Sequence, residues 1–169
     1  MGNEITLQTD PIDILMAEHE EGLKQLTELE DAALKIKKNG ITKEELDRVT
    51  SAINFIDNEI RFHNEKEEKH LFPLVAKYVS GPTTVMENEH RILWDAFIKL
   101  KIIAKEIENL ESENSKEMLV RTSLFIVELL SSHIYKENNI LFPMAQNVLS
   151  KEEYEICRVG IAKATLKIE

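Results

Sequence analysis

The chain has little of what interrupts or cross-links a fold: one cysteine, four prolines and five glycines in 169 residues. Cys157 stands alone, so an intrachain disulfide is excluded, and we interpret it as a small apolar filler rather than a reactive thiol. The few glycines and prolines fall where helices are expected to end. Together with 43% apolar and 31% charged residues, this composition is typical of a strongly helical protein.

Positive charge is also scarce, with a formal net charge of −10. Without a basic patch to neutralise phosphates, we expect neither a nucleic acid partner nor an anionic membrane surface as a partner. No apolar run reaches the roughly 18 residues of a transmembrane helix. The N-terminal residues lack the charged and apolar regions of a signal peptide, so we expect a cytoplasmic protein.

Apolar residues recur at spacings of three and four along four long segments and one shorter one. Asp10-Pro11, Thr42, Ser115 and Ser150 are expected to cap helix starts, and Asn39-Gly40 to end a helix. Short connections favour antiparallel neighbours. The sequence therefore predicts an all-α, up-down-up-down four-helix bundle over residues of about 10–147, with a short terminal helix at about 150–167, in a single domain 1–169.

An eleven-residue motif occurs twice in the chain. His63 to Pro73 reads H-N-E-K-E-E-K-H-L-F-P, and His133 to Pro143 reads H-I-Y-K-E-N-N-I-L-F-P. In each copy a glutamate follows the histidine by four residues, which puts both on one face of a helix. The proline of each copy is expected to kink its helix. A lone histidine on the preceding helix accompanies each copy, so the chain consists of two helix pairs of one design.

These repeated residues all fall on inward-facing stripes. A single histidine there is usually a core residue bonded to a carbonyl, and a glutamate can be a surface charge. A buried carboxylate is costly unless it is paired or bound to a metal, and these stripes carry no lysine or arginine. We therefore predict a two-metal site whose candidate ligands are His19, His63, Glu67, His90, His133 and Glu137.

On these residues and both L-F-P stretches, the chain resembles the hemerythrin-like, or HHE cation-binding, family. The resemblance implies a non-haem di-iron centre in a four-helix bundle, with an oxo or hydroxo group as a further bridge. In that pattern His19 and His63 would bind one iron, and His90 and His133 the other. The glutamates of the two motifs would bridge them. Manganese and zinc are alternatives to iron, because imidazole and carboxylate suit both metals.

The chain departs from the oxygen-carrying hemerythrins at two positions. They have H-x-x-x-H on the third helix, where this chain has Trp94, and H-x-x-x-x-D on the fourth, where it has Glu137 one residue earlier. The four-His, two-Glu pattern is similar to that of di-iron proteins of iron–sulfur cluster repair and nitric oxide stress. Those commonly carry an N-terminal segment with paired cysteines, which this sequence does not have. We interpret Trp94 and Tyr135 as pocket wall.

The sequence gives less support for other polar residues near the motif as metal ligands. His70 lies seven residues after His63 but is replaced by Ile140 in the second copy, so a second-shell or alternative-ligand role stays open. Glu18, Glu20 and Glu89 flank candidate ligands in the chain. Because neighbours in sequence point in different directions on a helix, we expect most of these glutamates to be solvated.

A reduced di-iron centre with an open position binds small diatomic molecules. We therefore expect a protein that binds or senses oxygen or nitric oxide, or responds to redox or iron status. An enzyme that reduces oxygen, peroxide or nitric oxide is the alternative, and iron storage or delivery, including iron–sulfur cluster repair, is the third. The sequence has no nucleotide loop and no sign of a large organic pocket.

Overall fold

The computed structural model describes residues 4–109 and 112–168, which form helices and turns with no strand. The helices are α1 (Pro11–Asn39), α2 (Lys43–Phe55), π1 (Ile56–Ile60), α3 (Arg61–His70), α4 (Phe72–Val75), α5 (Pro82–Asn109), α6 (Glu113–Lys136), π2 (Glu137–Leu141), α7 (Phe142–Val148) and α8 (Lys151–Leu166). π1 joins α2 to α3, and π2 joins α6 to α7. The chain therefore has four long helical rods: α1, α2 to α4, α5, and α6 to α7. α1 packs on α2 and α6, and α5 packs on the same two helices. The all-α bundle with a C-terminal helix is confirmed.

The predicted ends of the first helices are present. Asp10 caps α1 by accepting a hydrogen bond from the Ile12 amide at 2.8 Å. After α1, Gly40 has a φ of 87°, a conformation that glycine adopts without strain. Thr42 caps α2 by accepting from the Glu45 amide at 3.2 Å. The Glu45 carboxylate binds Arg48 instead of returning to Thr42, so only half of a capping box forms.

The start of α6 corrects the sequence prediction. Ser112, not Ser115, is the N-cap, and its hydroxyl accepts from the Ser115 amide at 3.1 Å. Ser115 in turn accepts from the Ser112 amide at 2.9 Å, which completes a reciprocal capping box. A serine three residues inside the helix is therefore the partner of the cap rather than the cap itself. Ser150 caps α8 as predicted, with Glu153 as its partner.

The two prolines have different effects on their rods. Leu71 interrupts the rod between α3 and α4 just before Pro73, with a φ of −111°. Before Pro143, the α-helix passes instead into the wider turn of π2, and the helix continues to Val148. Because proline lacks the amide that closes an α-helical turn, both rods must change their hydrogen bonding here. The predicted kink is a break in one copy and a π segment in the other.

The core consists of two apolar clusters, one toward each end of the bundle. Both are contributed by all four rods, and α8 adds to the second. The largest side chains of the first include Leu29, Ile53, Phe97, Leu100 and Ile126, and those of the second include Leu15, Phe72, Phe142, Cys157 and Ile161. Along every rod, the candidate ligands lie between residues of the two clusters. A buried polar layer therefore divides the core.

Cys157 has the role predicted for it. Its side chain is fully buried on α8, and burial raises the pKa of its thiol to about 12. A thiol that stays protonated at neutral pH is a poor nucleophile, so the residue serves as packing.

One helix is long and apolar enough, by length and composition alone, to span a membrane. It runs from Glu113 to Val148, whereas the apolar pattern of the sequence predicted no such span. Two of its residues, His133 and Glu137, are buried inside the bundle, and the helix packs against α1 and α5. These contacts are those of a core helix.

Two glycines lie inside helices rather than at their ends, against expectation. A Cβ atom on Gly22 of α1 would lie 2.8 Å from Cδ1 of Ile60. A Cβ atom on Gly160 of α8 would lie 2.8 Å from Cγ of His70 and closer still to its Nδ1. The first glycine lets α1 approach π1, and the second lets α8 lie against α3. His70 therefore packs on the terminal helix and lies outside both clusters of potential metal ligands.

Gly160→Ala should destabilise the protein by about 1–3 kcal/mol, because the new methyl group overlaps the His70 ring. Helix propensity alone would predict a gain of about 1 kcal/mol, so the two effects have opposite signs. The free energy of unfolding, measured with urea, decides between them. In a His70→Ala background the same substitution should become neutral or stabilising. An equal loss in both backgrounds would contradict the proposed contact.

Candidate metal centre

The structure brings all six predicted residues together in the polar layer. Each side chain is at most 1% exposed. They come from the four rods: His19 from α1, His63 and Glu67 from α3, His90 from α5, His133 from α6 and Glu137 from π2. Two pairs sit one helical turn apart, as the motif spacing predicted. The convergence of four rods on one layer therefore follows from the stripes seen in the sequence.

The carboxylate of Glu137 lies between histidines of the two halves. Its Oε2 is 3.1 Å from Nε2 of His19, and its Oε1 is 3.2 Å from Nε2 of His133. The two oxygens of this carboxylate thus face two different histidines. This is the arrangement that a bridging carboxylate requires.

The carboxylate of Glu67 also lies between histidines of the two halves. Its Oε1 is 3.2 Å from Nε2 of His63, and its Oε2 is 3.6 Å from Nε2 of His90. Two groups of potential ligands result, each with its ligand atoms within 4.8 Å of one another. We call them position A, with His19, His63, Glu67 and Glu137, and position B, with Glu67, His90, His133 and Glu137.

The inward-facing atoms fit bound cations. In the described residues, both oxygens of Glu67 and of Glu137, and Nε2 of His19 and of His63, are buried without a hydrogen-bond partner. At position B, Nε2 of His90 and Nε2 of His133 lie 3.1 Å apart. Unpaired buried carboxylates are unfavourable unless a cation compensates them. Imidazole nitrogen and carboxylate oxygen together suit iron, manganese and zinc.

The outward nitrogens of the motif histidines bind glutamates of neighbouring helices. Nδ1 of His63 donates to Glu18 at 2.7 Å, and Nδ1 of His133 donates to Glu89 at 2.8 Å. When these imidazoles are neutral, the bonds fix the proton at Nδ1 and leave the Nε2 lone pair directed at the centre. The prediction that Glu18 and Glu89 are solvated is wrong, since each reaches the next helix. Glu20 is exposed, as predicted.

A lysine stands behind each of these glutamates. Lys66 donates to Glu18 and, at 3.0 Å, to the hydroxyl of Thr165 on α8. Lys136 donates to Glu89. The lysines occupy matching places in the repeated motif but differ in burial, because α8 covers only Lys66. Its side chain is 2% exposed, against 31% for Lys136.

The lone histidines have partners of different chemistry. Nδ1 of His19 donates to the amide oxygen of Asn138 at 2.7 Å. Nδ1 of His90 donates to the carboxylate of Glu68, also at 2.7 Å. Glu68 in turn accepts two hydrogen bonds from Arg91, at 3.0 and 2.7 Å. Asn138 and Glu68 hold the same place in the two copies of the motif, directly after the ligand glutamate.

The L-F-P part of the motif supplies the walls of the layer. The Phe142 ring stacks on His19 with centroids 5.5 Å apart, and the Phe72 ring stacks on His90 at 5.7 Å. Each phenylalanine therefore covers a histidine of the other half. Both rings are buried in the second apolar cluster, which keeps water away from these imidazoles.

Trp94 and Tyr135 do not share a role. The Trp94 ring stacks on the His90 imidazole with centroids 6.1 Å apart, which agrees with its interpretation as a wall residue. The guanidinium groups of Arg61 and Arg91 lie 4.8 and 4.3 Å from its centroid. With the Asn64 amide oriented to suit both neighbours, the indole donates to Asn64 at 3.2 Å. Tyr135 is 65% exposed, so its interpretation as pocket wall is wrong.

The residues that sequence reasoning missed all lie outside the ligand set. The repeat itself contained the signal for most of them: a glutamate precedes both lone histidines, and a lysine precedes both ligand glutamates. What it did not indicate was which helix each side chain would reach.

Comparison with known proteins identifies this arrangement. Residues 10–145 match the model of the hemerythrin HHE cation-binding domain. The chain belongs to this family. Curated relatives include the iron–sulfur cluster repair protein YtfE of Salmonella typhimurium and the proteins of that name in Salmonella paratyphi B and Salmonella newport, each 29% identical over 138 residues. The alignment covers 78% of this chain and 63% of each relative, so the chain spans less than two thirds of their length.

Without cations, protons balance the two carboxylates of this hemerythrin-like site. Burial would lower the pKa of His63, but the charges of Glu67 and Glu18 outweigh it and raise that pKa to about 10. Burial likewise opposes protonation of His133, and Glu137 above all raises its pKa to about 9. Both histidines are therefore protonated at neutral pH in the metal-free protein.

Metal binding should release protons, because a ligating imidazole must be neutral at the bound nitrogen. The two raised pKa values predict that affinity for Zn²⁺, a redox-silent probe, weakens from pH 8 to pH 6 by about tenfold per unit for each proton displaced. Competition with a coloured chelator measures the affinity, and a pH indicator in weak buffer counts the protons. His70→Ala should leave the count unchanged. A pH-independent affinity would contradict this account.

Proposed function

We propose that this chain is a non-haem di-iron protein that binds oxygen or nitric oxide. The observation that supports the proposal best is the set of buried, inward-facing imidazole and carboxylate atoms without hydrogen-bond partners. They form two groups that share both glutamates. One cation at position A would leave one oxygen of each glutamate unsatisfied, whereas two cations with bridging carboxylates would use the whole set.

The distances between candidate ligand atoms support one ligand assignment. His19 and His63 would hold the iron at position A, and His90 and His133 the iron at position B. Glu67 and Glu137 would bridge the two with one oxygen to each. The oxo or hydroxo bridge expected from the family resemblance is part of this proposal. Manganese and zinc suit the same ligands, and the resemblance favours iron among them.

Each position has four protein ligands at most, fewer than iron accepts, so a small molecule can reach an open coordination site. Bound iron would supply redox chemistry and affinity for diatomic ligands. The chain's own contribution is to hold the imidazoles, to fix their protonated nitrogen at Nδ1, and to exclude water with Phe72 and Phe142. The six candidate ligands are at most 1% exposed, so the layer is not open to a large organic substrate.

A second candidate function is iron delivery in iron–sulfur cluster repair. The observation that favours it is the similarity to iron–sulfur cluster repair proteins of Salmonella. The alignment covers only 63% of each relative, so their activity is a proposal for this chain. Reduction of oxygen, peroxide or nitric oxide is the enzymatic alternative. The absence of a nucleic acid or membrane partner and the cytoplasmic location stay predictions from the sequence.

Purified protein from iron-supplemented medium should contain about two metal ions per chain, as counted by elemental analysis. His63→Ala or Glu67→Ala should lose at least one, because each removes a ligand from the set. His70→Ala is the matched control, a histidine on the same helix that packs on α8. Near-ultraviolet absorption would identify an oxo-bridged ferric pair, while zinc would be silent. A metal-free protein, or equal loss in the control, would contradict the proposal.

The reduced, iron-loaded protein should bind nitric oxide or oxygen reversibly and without turnover. Anaerobic titration with each gas, followed by absorption spectroscopy, measures this directly. Sustained consumption of either gas, or of peroxide, with a supplied reductant would support the enzyme instead. Transfer of iron to an apo iron–sulfur protein would support delivery. Iron that resists a chelator for hours would contradict delivery and favour a resident centre.

A further inference from the structure

The two metal positions have nearly identical ligands but different surroundings. At position B, both histidines donate to carboxylates: His90 to Glu68 and His133 to Glu89, at 2.7 and 2.8 Å. At position A, His63 donates to a carboxylate, but His19 donates to the neutral amide of Asn138. The repeat places a glutamate at this point in its first copy and an asparagine in its second.

The cations behind the carboxylates strengthen the difference. Lys66, on the side of position A, is 2% exposed, so solvent screens its charge little and it offsets that of Glu18 strongly. On the side of position B, Lys136 is 31% exposed and Arg91 is 52% exposed. Water screens these two charges, and the carboxylates they bind keep more of their effect on the histidines.

Both differences act in the same direction. An imidazole that donates to a carboxylate is a more basic ligand than one that donates to an amide, and it binds a metal more tightly. More electron donation also favours the more highly charged ion. Position B therefore has two imidazoles that donate to carboxylates, and position A has one.

We propose that the two positions are inequivalent: position B holds its iron more tightly and in the more oxidised state, and position A releases its iron first. Asn138 and Glu68 are the positioning residues that set this order. The proposal rests on the di-iron function proposed above. It assigns the exchangeable iron, the one that a chelator reaches first, to the side of His19 and His63.

Release of ferrous iron to a coloured chelator under anaerobic conditions tests the order. The wild-type protein should release iron in two phases. Asn138→Asp, which keeps the size of the side chain and supplies a carboxylate, should slow the fast phase by about 10–100-fold. Glu68→Gln, which keeps shape and removes the charge, should accelerate the slow phase by about the same factor. Circular dichroism checks that both variants are folded.

Matched controls separate a contact effect from a general change of charge. Asn139→Asp and Glu65→Gln make the same changes at exposed neighbours that face solvent. Both should leave the two rates as in the wild type. A redox titration gives a second measure: Asn138→Asp should narrow the gap between the two one-electron potentials, and Asn139→Asp should not.

The outcomes distinguish this inference from the function on which it rests. A protein that binds two iron ions and releases them in one phase, unchanged by Asn138→Asp, overturns the inference alone. An equal effect of Asn139→Asp and Asn138→Asp also overturns it. A protein that binds no iron overturns the proposed function first.

Discussion

Two buried carboxylates are the constraint on which this structure depends. Glu67 and Glu137 lie in the middle of the bundle, fully inaccessible to solvent, and in the described residues their close neighbours are histidines. Such charges are unfavourable without compensation. The histidines hold compensating charge next to these carboxylates. Their outward partners orient the imidazoles, and the two apolar clusters enclose the layer. Protons can supply the compensating charge in the metal-free chain, and cations supply it better.

The duplicated design explains how so small a chain builds this layer. Each half contributes one buried glutamate and two histidines, and each half covers an imidazole of the other with a phenylalanine. Beyond the ligands, the repeat extends to the glutamates and lysines that hold the Nδ1 atoms. It fails at Asn138, at Tyr135 and where α8 packs, and these places give the two halves different surroundings.

The six candidate ligands were predictable because helical periodicity puts a residue on a known face. Long rods with short connections then bring the four inward faces together. Glu18 and Glu89 were not predictable in this way, since their side chains cross to a neighbouring helix and the crossing depends on packing. The same holds for Gly22 and Gly160, whose lack of a side chain matters only because another helix approaches. Ser112 was missed because a capping box contains two plausible caps.

The contact of Lys66 with Thr165 has a consequence for the far end of the chain. His63, Glu18, Lys66 and Thr165 form an unbroken series of hydrogen bonds from a candidate ligand to the last turns of α8. Exchange of a proton for a metal ion at His63 alters the charge that this series must balance. The C-terminal helix is therefore a natural place for a label that reports metal occupancy, and an unsuitable place for a bulky fusion.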